Sequence, residues 1–153
     1  MKISPDQLAR QLESELGADA VTVEPGTLAR HVADGKRPTL VCTPATPEQI
    51  ATLMKLCADA QAAVIPWGGG MAMAIGNPPR RADVILKTQQ LNRIIDHDHA
   101  NLTLTVQSDI TLAALQAALA QQKQFAPFDA PLLERSTLGG IVAANLNGPR
   151  RSS

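Results

Sequence analysis

The sequence predicts an α+β fold: a small parallel βαβ lobe followed by the start of a lobe built mainly on antiparallel strands. Three observations carry that reading. Two short apolar runs, Thr39–Cys42 and Ala63–Trp67, bracket a segment with helical periodicity, and so short a return favours parallel strands joined by a right-handed crossover. Farther on, Leu102, Leu104 and Val106 alternate with Thr103, Thr105 and Gln107, the pattern of a strand with one buried face. Finally, 153 residues with 44% apolar and only 2% aromatic content suit a single aliphatic core, so a planar ligand would meet few rings besides Trp67.

The elements follow in order. Ser4-Pro5-Asp6-Gln7 opens a helix, the Ser hydroxyl accepting an orphan amide while Pro supplies a preset φ. Leu8, Leu12 and Leu16 form its apolar stripe, and Gly17 ends it as a left-handed cap. The charged stretch Glu24–Pro38 reads as a connection. Thr46-Pro47-Glu48-Gln49 repeats the helix-opening device ahead of Ile50, Leu53, Met54, Cys57 and Ala58. Asp83–Leu86 is a further strand, and Asp96-His97-Asp98-His99 is a solvated turn before the strand at Asn101–Gln107. Thr111 caps a helix carrying Leu112, Leu115 and Leu119 on one side. Pro127 and Pro131 make Phe125–Pro131 irregular, and a short helix runs from Leu138 to about Asn145, capped by Ser136 or Thr137. The expected division is a helical and linker segment at 1–38, a first α/β lobe at about 39–95 and the start of a second lobe at about 96–153.

Charge and motif spacing exclude several functions. Lys plus Arg and Asp plus Glu each number 14, so no field strong enough to hold nucleic acid or an anionic membrane is expected. No apolar run reaches the length of a membrane span, and Met1–Asp6 lacks the regions of a signal peptide, which makes a cytoplasmic protein the expectation. Cys42 and Cys57 form no metal or redox pair and read as small core hydrophobes. The spacing of His97 and His99 fits no zinc signature, His31 is isolated, and no metal site is expected. Arg80 and Arg81 read as a wet face or a subunit contact. No residue is identified as catalytic.

Two segments could carry chemistry. The first, Pro66-Trp67-Gly68-Gly69-Gly70-Met71-Ala72-Met73-Ala74-Ile75-Gly76, directly follows a strand. Successive glycines can aim several amides into one concavity and let the backbone approach a ligand that a Cβ would hold away, which suits a phosphate. No Gly-Lys-Ser/Thr follows, and Asn77-Pro78-Pro79 interrupts the helix that a dinucleotide-binding Rossmann loop requires. Taken alone, a glycine turn between strands also accounts for it. The second segment runs from Pro127-Phe128-Asp129-Ala130-Pro131 to Ser136-Thr137-Leu138-Gly139-Gly140-Ile141-Val142-Ala143-Ala144-Asn145. Hydroxyls and a glycine pair at a helix start offer donors to an anion or a flat ring edge, while capping and tight helix packing explain the same residues without a ligand.

In combination and in order, the Pro-x-Gly-Gly-Gly loop, the Thr111-Leu112-Ala113-Ala114-Leu115-Gln116 helix, and the Pro-x-Asp-x-Pro stretch leading to Ser/Thr-x-Gly-Gly and Ala-x-Asn resemble the vanillyl-alcohol-oxidase (PCMH) type of FAD-binding domain. The runs Gly76–Asp83 and Asn147-Gly148-Pro149-Arg150 are most similar to the FAD-binding subunits of bacterial glycolate oxidases. The resemblance implies an incomplete PCMH-type domain, with FAD lying extended between two lobes. It implies that backbone amides of Trp67–Met71, preceded by Pro66, line the pyrophosphate, with Met73, Ala74 and Gly76 close behind. Asp129, Pro131, Ser136, Thr137, Gly139, Gly140, Ala143 and Asn145 would line the middle of the cofactor, toward the flavin.

It also implies a flavin-dependent 2-hydroxyacid (glycolate) dehydrogenase or oxidase subunit with flavin and iron–sulfur partner subunits, peripheral to the inner membrane through them. Two departures stand out. Met71 occupies a position where the family often has Ser or Thr, and later segments that carry further cofactor contacts in the family are missing, so the chain alone is not expected to oxidise glycolate. The competing reading is a non-catalytic scaffold or remnant subunit that binds flavin weakly or not at all.

Overall fold

The computed structural model describes residues 3–146, 148 and 149. Met1 and Lys2, two positions of the Asn147–Arg150 run, and the end at Arg151–Ser153 lie outside the described residues. Contacts group the chain into two compact units, one reaching Trp67 and resuming at Met73–Gln90, the other comprising Gly68–Ala72 and the chain from Leu91 onward.

The first unit opens with α1 (Pro5–Leu16), where Ser4 and Gln7 cap one another: Gln7 N donates to Ser4 Oγ at 3.2 Å and Ser4 N to Gln7 Oε1 at 3.0 Å. Leu8, Leu12 and Leu16 are buried as the periodicity requires. Gly17 has the expected positive φ of 95°, but its ψ of 148° is not that of a left-handed helical cap, and a short 3-10 turn at Ala18–Ala20 follows it. The stretch at 1–38 holds α1, which packs on the later helix of the unit, and β1 (Val21–Thr22), which joins its sheet. Within it lies α2 (Pro25–Arg30), which begins as Glu24 accepts hydrogen bonds from the amides of Gly26 and Thr27.

β2 (Leu40–Cys42), α3 (Pro47–Asp59) and β3 (Val64–Trp67) form the expected strand–helix–strand unit. The two strands are parallel but are not neighbours. β4 (Val84–Lys87) lies between them, parallel to both, and the sheet order is β1-β2-β4-β3. Alternation divides the sheet into two faces. Leu40, Cys42, Val84 and Leu86 meet Leu12, Leu53 and Cys57 from the helices in one cluster. In α3, Leu53 and Cys57 are buried, whereas Met54 is 45% exposed at the margin of the stripe. Burial pushes the Cys42 thiol up to about 12 and the Cys57 thiol up to about 11, so both are inert core groups.

The second unit holds a hairpin and two helices. β5 (Ile94–Asp98) and β6 (Thr103–Val106) pair antiparallel as a separate two-stranded sheet. The polar Asp96–Asp98 stretch is therefore strand rather than turn; the turn follows it, with Asp98 accepting from Asn101 Nδ2 at 2.7 Å. Leu104 and Val106 pack on the unit's core as expected, but Leu102 does not share their face. It sits in the turn at φ 57° and is 77% exposed.

Leu112, Leu115 and Leu119 of α4 (Leu112–Ala120) close the core with Ala130 and Ile141. The last helix, α5 (Leu138–Ala143), ends two residues earlier than expected, with Asn145 at a positive φ of 53°. Among the described residues no helix is long and apolar enough to cross a membrane.

Candidate functional site

The glycine loop starts where β3 stops, at Trp67. The Trp67 ring meets the buried His31 edge-on with centroids 5.1 Å apart, and His31 is itself fixed by a 2.8 Å hydrogen bond from Nδ1 to Thr27 O. Nothing in the sequence pairs the two, because His31 lies 36 positions away in the connection after α2. Pro66 is exposed on the strand, Met73 is half-buried, and Ala74 and Gly76 are exposed.

Gly68–Ala72 pack within the second unit against the approach to α5. A Cβ on Gly69 would fall 1.7 Å from the Arg135 carbonyl oxygen. A Cβ on Gly68 would fall 2.6 Å from Thr137 Oγ1 and 3.0 Å from Asp109 Oδ1, and Gly70 turns the chain at φ 70°. The triple glycine therefore answers a close approach of two backbones and one positive φ. Arg135 reaches back as well, with Nη2 donating to Gly69 O at 3.4 Å. The two segments named from the sequence, about seventy residues apart, are thus in contact.

Their chemistry differs. Among the described residues, the amides of Gly68, Gly69, Gly70 and Met71 donate to no protein group. These amides lie on a half-buried turn, and the close seat of Gly69 on the Arg135 carbonyl holds that turn in place. At α5 the opposite holds. Leu138 N donates to Ile110 O at 2.9 Å, Gly139 N to Ser108 O at 2.7 Å, and Gly140 N to Thr137 Oγ1 at 3.3 Å. The Ser136 hydroxyl donates to Pro131 O. The expected donors at this helix start are therefore spent, Leu138 N and Gly139 N on the segment that leads into α4 and Gly140 N and the Ser136 hydroxyl locally, while Leu112 N donates to Ser136 O at 2.8 Å.

Gly139 has its own reason to lack a side chain, because a Cβ there would meet Ser108 Cβ and O at 2.9 Å. The amides of Ser136, Gly139 and Gly140 are thus already engaged. Asp129 and Pro131 are exposed in the irregular stretch, Asp129 O facing Gly148, and Ala143 and Asn145 are exposed at the end of α5. Sequence reading misses Asp109, Ser108 and Arg135, which hold or face these glycines. Nothing local marks them, since each acts across the chain. Among the described residues no group of three His, Cys, Asp or Glu side chains could hold a metal.

Residues 38–153 match the family described as FAD binding domain. The chain is 27% identical over 113 residues to the glycolate oxidase subunit GlcD of Bacillus subtilis, covering 74% of this chain and 24% of that protein. It is 28% identical over 145 residues to the D-2-hydroxyglutarate dehydrogenase of Xanthomonas citri pv. viticola, covering 91% and 30%. Among solved structures, alkyldihydroxyacetonephosphate synthase superposes with a TM-score of 0.79 at 23% identity over 93% of this chain and 32% of that one. p-Cresol methylhydroxylase follows with a TM-score of 0.75 at 21% identity, over 90% and 28%. The chain thus spans between about a fifth and a third of the length of the relatives it matches. On the match across residues 38–153, with the mixed parallel and antiparallel fold of its structural neighbours, this chain belongs to the FAD binding domain family.

Proposed function

We propose that this chain supplies the pyrophosphate-binding part of the FAD site of a flavin-dependent 2-hydroxyacid dehydrogenase or oxidase. The observation that carries the reading is the run of unpartnered amides that opens at Gly68–Met71 and continues through Ala72–Gly76, its start held by the seating of Gly69 on Arg135 O. A diphosphate needs several donors on a surface without a Cβ, and open amides on a triple-glycine turn support that reading. Trp67, Gly68, Gly69, Gly70 and Met71 would hold the phosphates. Met73, Ala74 and Gly76 continue the same loop, while Ser136, Thr137, Gly139, Gly140, Ala143 and Asn145, with Asp129 and Pro131, would shape the wall toward the flavin.

Hydride acceptance from the hydroxy-acid carbon is the chemistry that the flavin would supply when bound. The protein's own work is to orient it. The stitched helix starts at Thr111 and Thr137 cannot shift without breaking hydrogen bonds, so the loop faces a fixed wall. Glycolate as the substrate, and partner flavin and iron–sulfur subunits in the cytoplasm at the inner membrane, are the proposed setting, supported by relatives named for glycolate and D-2-hydroxyglutarate oxidation.

A second reading, a scaffold subunit with weak flavin binding, draws on two observations: α5 offers no free amide in its first turn, and Met71 brings no hydroxyl. One experiment separates the two. The purified chain is mixed with excess FAD, desalted, and scanned for a retained flavin band. Retention near one FAD per chain supports the proposed site, and complete loss of the band supports the scaffold.

A further inference from the structure

We propose that Arg135 supplies the counter-charge for the cofactor's pyrophosphate, taking the place of the hydroxyl that Met71 cannot provide; the proposal rests on the FAD reading above. Three observations converge on Arg135. It touches the loop twice, through its carbonyl oxygen beneath Gly69 and through Nη2 at 3.4 Å from Gly69 O. Its side chain has no carboxylate partner among the described residues, and the remaining guanidinium N–H groups have no protein acceptor there. It is also exposed, so those donors face solvent beside the four open amides.

A charge is needed at this place. Amides alone carry partial charge. A guanidinium reaching this loop from the approach to α5 brings a full positive charge beside it and can bind two phosphate oxygens in parallel, a geometry that lysine cannot reproduce. Sequence alone does not point to this role, since Arg135 precedes the Ser136-Thr137 cap and reads as an exposed loop cation.

The test is titration of the whole chain with FAD and, separately, with ADP, followed by flavin fluorescence and calorimetry at low and high salt. Arg135→Gln should weaken both ligands roughly tenfold at low salt and flatten the salt dependence, because one phosphate contact is lost. Arg135→Lys should recover part of the affinity. Arg10→Gln, the same change of net charge on the exposed face of α1, should leave affinity within about twofold. Thermal unfolding by circular dichroism should be unchanged in all three variants, which separates lost charge from lost fold. If the wild-type chain binds FAD and Arg135→Gln binds it equally well with the same salt slope, the role of Arg135 is overturned while the FAD site stands. If the wild-type chain binds neither FAD nor ADP, the FAD reading fails and this proposal fails with it.

Discussion

The α-carbon of Gly69 lies so close to the carbonyl oxygen of Arg135 that a Cβ would come within 1.7 Å of it, far inside an ordinary contact of about 3.5 Å. The blocking atom is backbone, so no rotamer change relieves the clash. Gly69→Ala should therefore lift the loop off the approach to α5, lowering the midpoint of thermal unfolding and costing about 3 kcal/mol. Gly76→Ala is the contrast. Gly76 has φ 95° and nothing within 4 Å of the place a methyl group would take, so only the backbone conformation is penalised, at about 1 kcal/mol. Equal costs for the two would contradict the close packing at Gly69.

Thr137 joins the loop to α5. Its Oγ1 accepts from Gly140 N and lies where a side chain on Gly68 would stand. Thr137→Val keeps the shape and removes the acceptor, so it should destabilise the chain by about 1 kcal/mol in a denaturant titration. Thr137→Ser should recover most of that loss.

The two core thiols predict a pH dependence. Their ordinary value of 9.0 is raised by burial to about 12 for Cys42 and about 11 for Cys57. Above pH 9 the unfolded chain gives up thiol protons that the folded chain retains, so the unfolded state binds fewer protons and stability falls as pH rises. This contribution is fully present below about pH 9 and is lost progressively up to the folded values of about 11 and about 12. Cys42→Ala/Cys57→Ala should be less stable at neutral pH, from lost packing, yet flatter between pH 9 and 11. Both wild-type thiols should resist a disulfide reagent until the protein is unfolded.

Leu102 is an exposed, branched residue at φ 57°. Leu102→Gly should stabilise the β5–β6 hairpin by up to about 1 kcal/mol, because glycine holds that conformation without a Cβ penalty. A drop in unfolding temperature would show that Leu102 contributes packing after all.

The legible parts of the fold are those decided within a few residues. Ser4-Pro5 and Thr46-Pro47 start helices by local capping, and the strands at Leu40–Cys42 and Val64–Trp67 are plain apolar runs. The insertion of β4 between β2 and β3 is not legible, because strand order depends on which sheet edge the returning chain reaches. Leu102 reads wrongly because alternation continues past a strand's end, and it is the turn at Asp98–Asn101, not hydrophobicity, that stops it. α2 escapes a reading by caps because its own cap is Glu24, an uncommon residue in that role.

For the candidate site, the glycines are legible and their reasons are not. Gly69 answers Arg135 and Gly139 answers Ser108, partners that only the folded chain brings near. The donors expected at Gly139 and Gly140 look open in the sequence and are closed in the fold because Ser108 O and Thr137 Oγ1 take them, one across the chain and one locally.

The most direct test of the central claim is an amide-resolved NMR titration of the chain with FAD, repeated with ADP. The amides of Gly68, Gly69, Gly70 and Met71, which donate to no protein group among the described residues, should shift strongly downfield and gain protection from solvent exchange. Those of Gly139 and Gly140, already hydrogen-bonded, should move little. Saturating shifts confined to Gly139 and Gly140, or no shift at Gly68–Met71 with either ligand, would contradict the assignment of the glycine loop as the pyrophosphate site.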